Sequence, residues 1–137
     1  MIASVLVVFA LVNFSNQQTV DQLIEGYSQV VATFKPDCVA ASGADPDVID
    51  QEIRNSKFAE DQATKCFWGC FYKKLNLISE NDEVLEDNIK KYIGVADKDA
   101  AEKIFHKCVH FRGSDYCETA TGISRCVSTS SKALLEN

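Results

Sequence analysis

Apolar residues recur at intervals of three and four over most of the chain, and no strand pattern stands out. That spacing predicts amphipathic helices. Val20, Leu23, Ile24, Tyr27, Val30, Val31 and Phe34 form one continuous stripe. Thr19 and Gln22 make a capping box at its start. Pro36 is expected to break or kink this helix, and a short turn carrying Cys38 then runs to Gly43. Asp45-Pro46 announces a second helix, Pro46 to Asn55, since Asp caps and Pro suits the first helical position. Val48, Ile49 and Ile53 face inward there. A third helix, Asp61 to Leu75, carries Ala63, Cys66, Phe67, Cys70, Phe71 and Leu75 on one face.

Ser79 to Glu83 reads as a polar turn, followed by a fourth helix from Glu83 to Ile93 that shows Val84, Leu85, Ile89, Tyr92 and Ile93 and stops at Gly94. Asp97 caps a fifth, with Ala100, Ala101, Ile104, Phe105 and Cys108 inward and Arg112-Gly113 at its end. Ser114 or Asp115 caps the sixth, whose stripe is Tyr116, Cys117, Ala120, Ile123 and Val127. Ser128 to Asn137 is a polar tail interrupted by Ala133-Leu134-Leu135, and those three are expected to fold back over helical surface or the mouth of an interior cavity. The expected architecture is all-α: about six helices in a single domain, with no repeat and no linker.

The N-terminus changes the picture of compartment. Ile2 to Val12 is an uncharged apolar run followed by Asn13, Ser15, Asn16, Gln17 and Gln18. It is too short to cross a bilayer and matches the apolar core of a secretory signal peptide. Residues 1–16 are therefore expected to be a signal peptide, cleaved between Ser15 and Gln18, and residues 17–137 the mature, extracellular domain. The alternative is a buried N-terminal helix. The leader holds no charged residue, so the net charge of -6 belongs to the mature domain. An acidic domain repels phosphate backbones, which argues against nucleic-acid binding. No second apolar run is long enough for stable membrane insertion.

A secreted chain with six cysteines is expected to form three disulfides. Cys66 and Cys70 lie one helical turn apart, with Cβ atoms ~6 Å apart where a disulfide wants ~3.8 Å. They should bond to different elements, which makes the third helix a hub. Cys117 and Cys126 are half a turn out of phase on the sixth helix and face different neighbours. The remaining pairings stay open on these grounds. A chain of this size can bury a core without cross-links. An interior left partly empty for a ligand forfeits packing, and disulfides offset that loss.

The six cysteines are spaced C-x27-C-x3-C-x37-C-x8-C-x8-C. In an all-helical secreted chain, this ladder resembles that of insect odorant-binding proteins of the pheromone-binding and general-odorant type. The resemblance runs from about Val20 to Val127 and rests on the x3 gap, the final x8 gap and the long x37 gap occurring together. It implies interlocked disulfides Cys38–Cys70, Cys66–Cys117 and Cys108–Cys126. It implies a compact bundle around an apolar cavity, bounded by the first and the third to sixth helices. It also implies a carrier of small hydrophobic molecules, such as odorants or pheromones, with a chemosensory receptor as a further partner. The protein is expected to be a monomer or weak homodimer.

No enzyme motif competes with that reading. There is no H-E-x-x-H, G-x-S-x-G, P-loop or dinucleotide fingerprint, and no cofactor or metal is expected. His106 and His110 are read as surface residues because Lys107 and Arg112 beside them repel a cation. The carboxylates Glu80, Asp82, Glu83, Glu86 and Asp87 lack the central Gly of a calcium loop and serve the start of the fourth helix instead. The expected cavity wall is Phe67, Phe71, Tyr72, Leu75, Leu77, Ile89, Tyr92, Ile93, Ile104, Phe105, Ile123 and Val127. Tyr72 is the expected polar anchor. Leu77 stands where some similar proteins carry a second polar residue, which favours a larger and more apolar ligand. The rival readings are a helical effector that binds a protein or lipid partner, and a helical lipase built on a histidine–carboxylate dyad with a cation.

Overall fold

The computed structural model describes residues 18–136. The expected signal peptide and its cleavage position lie outside that range, apart from Gln18. The described residues form six α-helices and one 3-10 turn: α1 (Val20–Ser42), α2 (Pro46–Asn55), α3 (Gln62–Lys74), α4 (Glu86–Ile89) continued by the turn Lys90–Tyr92, α5 (Lys98–Cys108) and α6 (Tyr116–Glu136).

Capping residues fix most of the boundaries. Thr19 Oγ1 accepts from Gln22 N–H at 3.1 Å, and Gln22 Oε1 accepts from Thr19 N–H at 3.0 Å, which closes the capping box of α1. Asp45 caps α2 with Pro46 in its first turn, and Asp61, Asp97 and Asp115 each accept an amide of the first turn of α3, α5 and α6. Gly43, at φ 77°, ends α1 in the left-handed conformation that costs glycine nothing.

Four boundaries differ from the sequence reading. Helix α1 does not stop near Pro36 but continues to Ser42, so Cys38 is helical and fully buried. Proline removes one amide from the ladder, and burial of the following turn against α3 outweighs that single loss. The fourth helix is shorter than Glu83 to Ile93. Val84 is drawn into an isolated antiparallel bridge with Ile78, and Leu85 N–H donates to Leu77 O at 2.8 Å, so the chain is extended until Glu86. The C-terminal residues are not a folded-back tail. They continue α6 to Glu136, with Ser128, Ser131 and Lys132 buried and Ala133 and Leu134 facing solvent. Lys132 makes this possible: its Nζ donates to Ile53 O at 2.6 Å and Arg54 O at 2.9 Å, at the C-terminal end of α2. A cation placed there is favoured by the helix dipole. Burial lowers its pKa from the ordinary lysine value. Helix α5 also ends earlier than expected, at Cys108, so His110 lies beyond it.

Helix α3 is the hub. Phe67, Trp68, Phe71 and Tyr72 are buried along it, and its two cysteines reach α1 through Cys38–Cys70 and α6 through Cys66–Cys117. Cys108–Cys126 joins α5 to α6. These are the pairs that the family resemblance implies, and the described residues hold no free cysteine. Gly69 lets α3 and α6 approach closely. A methyl group there would lie 2.7 Å from the Tyr116 ring and 3.1 Å from Cys117 Cα.

Candidate functional site

The inner surfaces of α1, α3 and α6 do not meet across the whole interior. They leave a cavity of about 100 Å³, closed on the fourth side by Leu75, Leu77, Ile89, Tyr92 and Ile93. Helix α1 contributes Tyr27, Val30 and Val31; Ile53 and Phe58 come from α2 and the loop after it; Trp68, Phe71 and Tyr72 from α3; and Ser124, Val127 and Ser128 from α6. No charged side chain lines it. Tyr92 belongs both to the wall and to the surface, being 40% exposed.

Of the residues expected at the wall, Phe71, Tyr72, Leu75, Leu77, Ile89, Tyr92, Ile93 and Val127 are there. Phe67, Ile104, Phe105 and Ile123 are not. They are buried in the packing between helices, where Phe67 meets Trp68 edge-on at 5.2 Å and Ile123 is fully enclosed. The sequence reading omitted Ser124 and Ser128 because serines on an amphipathic helix look like solvent-facing positions. It omitted Phe58 because that residue sits outside any helix. Tyr27, Val30, Val31 and Ile53 were legible as inward-facing, with no signal to separate cavity wall from filled core.

The hydroxyls of Tyr27, Tyr72, Ser124 and Ser128 at the wall are each hydrogen-bonded. Tyr27 Oη donates to Ile93 O at 2.6 Å. Ser124 Oγ donates to Tyr72 Oη at 2.8 Å. Ser128 and Ser56 share a hydrogen bond at 2.6 Å. Burial raises the pKa of both Tyr27 and Tyr72, which keeps the phenols neutral. Ser131 Oγ is buried on α6 with no hydrogen-bond partner among the described residues. Behind the wall, Glu52 accepts from Trp68 Nε1 at 2.8 Å and Ala59 N–H at 2.6 Å, which fixes the indole and the loop to Phe58. Burial raises its pKa, the hydrogen bonds from Trp68 and Ala59 opposing that rise.

The histidines stand apart from this site. His106 lies 3.0 Å from Glu102, which also pairs with Lys90; His110 lies 3.7 Å from Glu86, which also pairs with Arg112. Both rings are mostly exposed, and their carboxylates are already matched by cations, so neither pair offers a seat for a metal ion. Among the described residues no group of His, Cys, Asp and Glu is arranged to hold one. No described helix is long and apolar enough to cross a membrane.

A helical frame locked by three disulfides around a small apolar cavity defines a class of small-molecule-binding scaffold. The sequence pattern of the PBP/GOBP family matches residues 20–130, and the chain belongs to that family. It is similar to odorant-binding protein 10 of Aedes aegypti, with 31% identity over 101 residues covering 72% of this chain and 71% of the relative. It is also similar to general odorant-binding protein 69a of Drosophila melanogaster, with 29% identity over 97 residues covering 65% and 60% of the two chains.

Proposed function

We propose that this protein is a secreted, non-enzymatic carrier that reversibly takes small hydrophobic molecules, of the odorant or pheromone kind, into the cavity between α1, α3 and α6. The observation that carries the reading is an interior space whose walls are apolar side chains and hydroxyls, with no charged group among them. Family membership and the names of its relatives point the same way. Burying apolar ligand surface gives roughly 25 cal/mol per Å², so ~250 Å² supplies several kcal/mol before ordering costs, enough for micromolar affinity.

The cavity is compact for a larger ligand. An engineered cavity of ~150 Å³ accommodates benzene. A molecule much longer than one ring therefore requires Tyr92 or neighbouring wall residues to move outward. The test is titration of the oxidised protein with a naphthylamine dye, followed by displacement with volatiles of graded length. One-to-one saturable binding and competitive displacement are expected. A protein with all three disulfides formed that binds no apolar probe is not a carrier.

A further inference from the structure

Three wall residues on the α2 side of the cavity, Ile53, Phe58 and Trp68, come from different segments: the end of α2, the loop after it and α3. One side chain behind them connects all three. Glu52 precedes Ile53 on α2. Its Oε1 accepts from Trp68 Nε1–H at 2.8 Å, and its Oε2 accepts from Ala59 N–H, beside Phe58, at 2.6 Å. A carboxylate suits two converging donors, because each oxygen accepts and the ionised group carries no proton of its own. Glu52 is 1% exposed. Arg125, whose positive charge favours its ionised form, is itself paired with Glu60 at 3.6 Å and lies 5.9 Å from the centre of the Phe58 ring. Burying a carboxylate with no cation bonded to it is costly, and the two hydrogen bonds offset that cost. The base of the assembly is fixed as well, since Lys132 Nζ donates to Ile53 O at 2.6 Å.

We propose that Glu52 is a positioning residue for ligand selection: by joining Ile53, Phe58 and Trp68 into one rigid panel it fixes the width of the cavity on the α2 side, and the site discriminates against ligands too wide for that panel. The inference rests on the carrier reading. Glu52 itself does not line the cavity. A long, narrow ligand is accommodated by outward movement at Tyr92. A wide one needs the panel to part, which breaks a hydrogen bond to Glu52. The same bond holds the indole N–H, so Trp68 offers the guest ring carbons and no free donor.

The test compares naphthalene with n-decane, a wide and a narrow hydrocarbon of equal carbon number. Each displaces a naphthylamine dye from oxidised wild type, Glu52→Met and Glu52→Gln. The ratio of the two affinities is taken within each protein, so any loss of folded material cancels. Glu52→Met fills similar space without an acceptor, and its naphthalene-to-decane ratio should exceed that of wild type by about threefold or more. Glu52→Gln keeps one acceptor oxygen and should fall between. A ratio in Glu52→Met equal to that of wild type overturns the inference and leaves the carrier reading standing. So does a Glu52→Gln ratio no nearer to wild type than that of Glu52→Met. A second measurement needs neither ligand nor variant. The wild-type indole N–H gives a single resonance, because Trp68 is the only tryptophan. It should exchange with solvent at least about tenfold more slowly than a free indole. Exchange at the free rate shows that the bond to Glu52 does not hold, and overturns the inference even where the variants fold poorly. Absence of dye binding in all three proteins overturns the carrier reading and this inference together.

Discussion

The two sides of the cavity are built in opposite ways. On one side α1, α3 and α6 are long helices cross-linked through Cys38–Cys70 and Cys66–Cys117. On the other, Leu75 to Ile93 is a chain of turns, one isolated bridge, a four-residue helix and a 3-10 turn. No cysteine falls between Cys70 and Cys108, so nothing covalent holds that wall. Its side chains Leu77, Ile78, Ile89 and Ile93 are buried against the frame, and its polar ties are few: Leu77 N–H to Tyr72 O, Tyr27 Oη to Ile93 O, and the Gln18 amide, which spans Gly94 O and Ala96 N–H. Surface ion pairs at Asp82, Glu86 and Lys90 add little, since exposed pairs are worth about 0–1 kcal/mol. The contrast separates two demands. Cross-links keep the frame from collapsing into an unfilled interior, while a wall held by a few hydrogen bonds can open without unfolding the rest.

The largest effect should come from the frame. Cys66→Ser with Cys117→Ser opens a loop of 51 residues and should cost about 4 kcal/mol in urea unfolding. No loss of a single hydrogen bond in the wall should approach that. A loss below about 1 kcal/mol would remove the distinction between frame and wall. Next comes Gly69→Ala, which forces a methyl group against Tyr116 and the Cys117 backbone and should cost about 1–3 kcal/mol. Tyr27→Phe acts on the wall. It should cost only about 0.5–1.5 kcal/mol, yet speed both ligand release and amide exchange in residues 76–96. Unchanged exchange there would show that the wall is held elsewhere.

The smallest effect is a pH slope at Glu52. Burial raises its folded pKa above the ordinary 4.5, so the folded state binds the proton first. Its stabilising contribution is complete below that ordinary value and is lost as pH rises through the folded one. Stability measured from pH 7 downward should therefore gain from this group until it is protonated, and Glu52→Gln should flatten that part of the profile. A steeper profile in Glu52→Gln would reverse the assigned direction.

The sequence was most legible where local chemistry decides structure. Asp45-Pro46 located α2, and Asp97 located α5, because a capping carboxylate acts on its own first turn. It was least legible where distant contacts overrule local preference. Pro36 argued for a break, but Cys38 beyond it is held by α3. Ser128 to Glu136 looked like a polar tail, but Lys132 finds the carbonyl end of α2 and Ser128 finds Ser56. The site shows the same division. Tyr72 and Leu77 were singled out through the family resemblance and stand at the wall, whereas Phe67 and Ile123 were read as wall from helical periodicity and fill the core instead. Periodicity reports which face turns inward and carries no information on whether the space it faces is occupied.

Trp68 is the chain's single tryptophan. Its ring stands at the cavity wall, 4% exposed, against Phe58 at 5.6 Å and Phe71 at 5.9 Å, with its N–H held by Glu52. In optical terms the protein carries one intrinsic chromophore of this kind, fixed in orientation and placed at the cavity wall. Its emission should be blue-shifted in the empty protein and should change as a ligand replaces void or water next to the indole. Occupancy of the cavity can then be followed in unlabelled protein from one residue, without a competing dye and without averaging over other tryptophans.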